Sequence, residues 1–234
     1  LIDPIVPTST YMFEDYDDIM RFTSDKNQGN PTARLDYGRY GNPTTRAVER
    51  RLAALEGGQD ALLFSSGMAA VTTTLLSFLK AGDHFVYTDD IYRKTREFSR
   101  DFLSRYGVES SVVPVGDATA MKDAIRANTR LIVSEIPTNP YLRVPDLDEL
   151  VAVARRHKLL TLVDSTFATP VNLRPLEHGV DLVVHSGTKY IGGHHDLLSG
   201  VVIGGKALVD PIREHANLMG PVADPFNAYL LLRG

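Results

Sequence analysis

The sequence predicts an α/β protein built on a mostly parallel sheet with helices on both faces. From about residue 60 onward, short runs of strand length alternate with amphipathic stretches of helix length, and that order puts crossover helices between parallel strands. The apolar runs Leu160-Thr161-Leu162-Val163 and Leu182-Val183-Val184 are near-continuous rather than alternating, as in strands covered on both sides.

Residues 1–44 mix Pro, Thr, Asp, Tyr and Gly without a sustained period, and they read as an irregular arm that packs on something else. Residues 45–234 read as one large domain. Asn42 can cap and Pro43 can start a helix carrying Val48, Leu52 and Leu55 at i, i+4 and i+7, closed by Gly57-Gly58. Strand 60–65, helix 68–80, strand 84–88, helix 93–105, strand 110–115, helix 118–127 and strand 130–135 follow. A helix over 147–157 opens on Asp146 with Glu149 three residues on, a capping-box variant, and Leu147, Leu150, Val151 and Ala154 form its apolar stripe. Strands 160–164, 181–185 and 200–204 complete the set.

A chain of 234 residues with 43% hydrophobic and 23% charged content can bury a large core. Its net charge of −4, with basic residues scattered, gives no footprint for nucleic acid. The absence of cysteine excludes disulfides and thiolate metal sites. No apolar run reaches bilayer-spanning length, and Leu1-Ile2-Asp3-Pro4 does not open a leader peptide. The expectation is a cytoplasmic protein with no membrane partner.

Ligands of open parallel sheets bind beyond the carboxyl ends of the strands. One strand there delivers Asp164, and the next delivers His185-Ser186-Gly187-Thr188-Lys189-Tyr190, with Lys189 lying 25 positions after Asp164. A lysine for an imine, a carboxylate for a pyridine nitrogen and hydroxyls for a phosphate suit pyridoxal 5′-phosphate (PLP). A structural ion pair between Asp164 and Lys189 is the alternative. Phe64-Ser65-Ser66-Gly67-Met68 runs from strand to helix through a small-residue turn, which is either an anion site or only a cap. Asn139 in Pro137-Thr138-Asn139-Pro140 follows a third strand exit, as a ring contact or as a turn residue.

These segments, together with Tyr37-Gly38-Arg39, Asn42-Pro43-Thr44 and Asp164-Ser165-Thr166-Phe167-Ala168-Thr169-Pro170, occur in the order of the Cys/Met-metabolism PLP enzymes. The chain resembles that family, which includes cystathionine γ-synthase, cystathionine lyases and methionine γ-lyase, over nearly its whole length. The resemblance implies the large domain of a fold-type I, aspartate-aminotransferase-like PLP enzyme. It implies that Lys189 forms the Schiff base, that Asp164 pairs with the pyridinium, and that Ser66, Gly67, Met68, Ser186 and Thr188 hold the phosphate. Tyr92 would stack on the ring, Asn139 would contact the ring oxygen, and Thr166 would support Asp164 or the ring. Tyr37 and Arg39 would reach the phosphate of a neighbouring subunit, so a homodimer or homotetramer is implied.

The reaction expected is γ-replacement or γ-elimination on a homoserine ester or sulfur amino acid, with a cystathionine γ-synthase-like activity favoured. Lys189 would serve as general base, and Tyr37 and Tyr92 as candidate proton relays, although a phenol with a pKa of roughly 10 is a poor base unless its site lowers that value. A lyase, an aminotransferase or a carbon–carbon bond former of the same fold is the alternative, as is a silent regulatory relative.

Two local departures from the pattern stand out. Arg93 and Lys94 after Tyr92 suit either an acidic substrate tail or, as favoured, a solvated helix start. The His194-His195 pair with His185 raises a metal site, which is rejected because adjacent side chains rarely converge on one ion. The family also continues into a smaller C-terminal domain that supplies the arginine for the substrate carboxylate, and no residue of 1–234 takes that role.

Overall fold

The computed structural model describes residues 3–28 and 35–234; of the arm, residues 1–2 and 29–34 lie outside the described residues. The arm carries a helix that its composition did not announce, α1 (Tyr16–Asn27), capped by Asp15 accepting from the Asp18 N–H. It buries none of its residues, which is why no apolar stripe betrayed it. Thr10 bridges Tyr37 and the Gly38 N–H donates to the Ser9 carbonyl, so the arm folds back on itself.

The core follows as α2 (Pro43–Glu56), β1 (Asp60–Phe64), α3 (Gly67–Phe78), β2 (His84–Thr88), α4 (Arg93–Glu97), β3 (Glu109–Val113), α5 (Ala118–Ala124), β4 (Thr129–Glu135), α6 (Leu147–His157), β5 (Leu160–Asp164), α7 (Thr169–Asn172), β6 (Leu182–His185), β7 (Gly200–Gly204), α8 (Lys206–Met219) and α9 (Pro225–Arg233). The Asn42 side chain accepts from Thr44 and Thr45, and Gly57 closes α2 in the left-handed conformation. Leu55 departs from the expected stripe: it is exposed, and Glu56 is buried in its stead. Beyond α4 the run expected as one helix widens to a π turn (Phe98–Phe102) and tightens to a 3-10 turn (Leu103–Tyr106).

The described strands form one sheet in the order β1-β7-β6-β5-β4-β2-β3. All pairings are parallel except those of β7, which runs against both β1 and β6. Alternate residues of each strand feed opposite faces. Leu62, Phe64, Phe85, Leu131, Leu162, Val184 and Val202 pack under α3 and α8. On the other face Val86, Ile132, Val163 and Val183 pack with α6, while Leu63, Val201 and Ile203 pack with α2 and α9. Among the described residues no helix is long and apolar enough to cross a membrane.

The reversed strand leaves little room at Gly200, where an added Cβ would collide with the Ser66 carbonyl and stand 2.7 Å from Gly67 Cα. These are backbone atoms, so the turn after β1 must move. Gly200→Ala is expected to lower stability by about 1–3 kcal/mol, the usual penalty for overpacking, in a denaturant titration. An unchanged midpoint would show that the turn yields freely.

Candidate active site

The exits of β1, β4, β5 and β6 converge on a cleft of about 530 Å³. Its walls include Ser66, Gly67, Met68, Tyr92, Asn139, Asp164, Thr166, Ser186, Thr188 and Lys189, so ten of the twelve residues singled out in the sequence meet there. Tyr37 and Arg39 do not. Arg39 lies in a separate groove, donating to the Asn217 carbonyl, with its guanidinium 4.8 Å from the Tyr40 ring centroid. Tyr37 is exposed beside it.

Asp164 closes β5 at the cleft floor. Its Oδ1 accepts the Thr166 N–H at 2.9 Å and the Thr166 hydroxyl at 2.5 Å, and neither bond engages Oδ2. The Ser186 N–H donates to the Thr166 hydroxyl at 2.8 Å. One threonine therefore orients the carboxylate and ties it to the lysine-bearing loop. Burial pushes the Asp164 carboxyl above its ordinary range, against the two Thr166 hydrogen bonds and the charge of His185.

Lys189 is exposed, and among the described residues its amine has no hydrogen-bond or ion-pair partner. The structural ion pair with Asp164 is not formed. At the start of α3, Ser66 accepts from Ala69 N–H through its side chain and from Ala70 N–H through its carbonyl. The N–H groups of Gly67 and Met68 have no acceptor among the described residues, at the positive end of a 12-residue helix. A Cβ on Gly67 would stand 2.9 Å from Ser186 Cβ, so only glycine lets this turn and the Ser186 loop approach so closely. Thr188 spends its hydroxyl differently, donating to the Ser199 carbonyl and accepting the Ser199 N–H.

Tyr92 stands immediately before α4 with its ring exposed. Arg93 and Lys94 both pair with Glu97 and do not line the cleft, the solvated helix start favoured from sequence. His185 lies on the opposite sheet face from Asp164, its Nε2 2.9 Å from Glu56 Oε2 with both side chains fully buried. His194 bonds the Gly192 carbonyl. No cluster of potential metal ligands occurs among the described residues.

Sequence reasoning missed Glu135. It ends β4 in register with Asp164, lines the same cleft, and accepts the Tyr92 N–H on Oε2 at 2.6 Å. Its signal was an acid closing a strand of apolar and hydroxyl side chains, aligned with Asp164 when the two strands are laid side by side. Burial first, then the Asp164 charge, pushes its carboxyl up to about 8. A carboxyl held above its unfolded value stabilises the fold fully below that value, and the contribution is lost as pH rises through the folded one. Glu135→Gln is therefore expected to lessen the fall in stability between about pH 4.5 and 8. Thermal melts of variant and parent that stay parallel across this window would contradict that.

The whole chain, residues 1–234, matches the family described as Cys/Met metabolism PLP-dependent enzyme. It is 40% identical to cystathionine gamma-synthase 1, chloroplastic, of Arabidopsis thaliana over 99% of this chain and 40% of that protein. It is also 40% identical to the L-methionine gamma-lyase of Fusobacterium nucleatum subsp. nucleatum, over 99% and 58% respectively. The crystal structure of metB from Corynebacterium glutamicum superposes with a TM-score of 0.89 at 34% identity, covering 99% of this chain and 57% of that one. The chain thus spans about half the length of these relatives. With this match along its length and this fold, the chain belongs to the PLP-dependent enzymes of Cys/Met metabolism.

Proposed function

We propose that this cleft holds PLP on Lys189 and performs γ-replacement on a homoserine-ester-type amino acid, in the manner of a cystathionine γ-synthase. The observation that carries the reading is the unpaired Lys189 amine beside an Asp164 whose Oδ2 is left unengaged by Thr166, in one cleft with the free N–H groups of α3. The donor set fits the group: a primary amine for its aldehyde, a carboxylate for its ring nitrogen, and helix N–H groups at a glycine turn for its phosphate.

When bound, PLP supplies an electron sink for charge developing on the substrate. Lys189 takes the substrate's α-proton as a general base and, for chemistry at Cγ, moves the proton at Cβ as well. Asp164, held by Thr166, keeps the ring nitrogen protonated by placing a negative charge beside it. Gly67 and Met68 would give backbone N–H groups to the phosphate, with Ser66, Ser186 and Thr188 also available to it, and Tyr92 and Asn139 would contact the ring. Tyr37 and Arg39, which lie away from their own cleft, serve a second copy of the chain in a homodimer or homotetramer.

γ-Elimination is the second reading, favoured by the similarity to a methionine gamma-lyase. Product analysis with O-acylhomoserine and cysteine separates the two: replacement yields a thioether amino acid, whereas elimination yields a 2-keto acid and ammonia. Loss of the charge in Asp164→Asn removes a charge-assisted contact worth about 1.5–3 kcal/mol, an expected ten- to hundredfold weakening of PLP binding by equilibrium dialysis. Undiminished affinity would remove Asp164 from the site.

A further inference from the structure

Glu135 has no part in the reaction as argued above, yet it is the acid placed nearest to Asp164 by the sheet. In the parallel β4–β5 pair the two residues are register partners. Leu131, Val133 and Glu135 share a face with Leu162 and Asp164, so the two acidic side chains leave the sheet one strand spacing apart, about 4.8 Å between backbones. The charge of one buried acid disfavours ionisation of the other. Asp164 accepts two hydrogen bonds from Thr166 and feels the charge of His185. Glu135 accepts one backbone N–H, from Tyr92, and faces Asp90 as a further acid. The charge therefore rests on Asp164 and the proton on Glu135. The remaining charged or titratable groups around Glu135 are Arg96 on α4, and Tyr92 and Lys189 in the cleft wall.

We propose that Glu135 is a positioning residue of the cofactor cleft, fixing the backbone of Tyr92 while sharing a single negative charge with Asp164. A protonated carboxyl still offers its carbonyl oxygen to the Tyr92 N–H, and that geometry sets where the Tyr92 ring sits over the cleft. In the unbound cleft it leaves one charge, on Asp164. A cationic ring nitrogen beside the pair would favour ionisation of Glu135 as well, so binding is expected to release protons.

The inference rests on PLP occupying this cleft, and the test keeps the two apart. PLP binding to the full chain, and to its Glu135→Gln and Glu135→Ala variants, is followed by calorimetry at pH 7.5 in two buffers of different ionisation enthalpy. Glutamine keeps both the acceptor and the neutrality. The expected result is an affinity within about twofold of the parent for Glu135→Gln, with fewer protons released, and a weakening of about tenfold for Glu135→Ala, in which Tyr92 must be ordered at the cost of binding. If the alanine variant does not fold, Glu135→Met, which fills the space without an acceptor, takes its place. An alanine or methionine variant that binds like the parent, or a glutamine variant that releases as many protons as the parent, overturns the proposal. A parent protein that takes up no PLP and shows no borohydride-fixed adduct at Lys189 overturns the functional reading, and this inference with it.

Discussion

Lys189→Ala removes the borohydride-fixable PLP adduct and lowers turnover by roughly 10²–10⁴-fold or more, the range for losing a positioned general base, while the fold stays intact. The second half of that expectation follows from the structure: the side chain is exposed and its amine has no partner among the described residues. Substitutions at such positions shift stability by no more than about 0.5 kcal/mol. The measurement is peptide mapping after reduction, beside a thermal melt. A reduced adduct that persists on another lysine, with turnover retained, would end the assignment of Lys189.

The largest stability effect is expected behind the cleft, on the opposite face of the sheet, at Glu56. Its carboxyl meets the His185 ring in a pair with no solvent exposure, and Glu56 Oε1 and His185 Nδ1 have no hydrogen-bond partner among the described residues. The pair joins the last turn of α2 to the exit of β6, four residues before Lys189. Removing one member leaves the other buried without compensation, which costs about 3–5 kcal/mol. Glu56→Met is therefore expected to lower the melting temperature by roughly 10 °C, at about 2–4 °C per kcal/mol for a chain of this size. Glu56→Met with His185→Leu should recover most of the loss, because a well-packed apolar pair replaces a buried polar one at little cost. A double variant no better than the single one would show that the pair does more than fill space.

The legible parts of the sequence were those where local chemistry and tertiary burial agree. Asp146 caps α6 by accepting the Glu149 N–H, and the stripe Leu147, Leu150, Val151, Ala154 is buried as its spacing required. β2, β5 and β7 occupy the residues expected of them. The reversal of β7 was not legible, because a run buried on both faces reads alike in either direction. Helices α8 and α9 close the structure without having been anticipated. At Leu55 and Glu56 a partner 129 positions away decided which side chain turned inward.

The site divides along the same line. Asp164, Lys189 and the Ser66-Gly67-Met68 turn could be found because residue type and strand position coincide. Glu135 could not, because its meaning depends on the register between β4 and β5. Tyr37 and Arg39 stand out through resemblance alone, and in the structure they lie apart from their own chain's cleft.

β7 and β6 lie between the strand that leads into the Gly67 turn and the strand that ends on Asp164, yet glycine at 67 lets that turn close on Ser186, whose N–H is tied through Thr166 to Asp164. The anion end and the acid end of the cleft are thereby drawn onto one short loop contact. Inorganic phosphate engages one end, and an unphosphorylated pyridoxal engages the other. Because tethering two weak contacts in one ligand multiplies their strengths, the close approach at Gly67 makes possession of both groups on one compact molecule a criterion of selection.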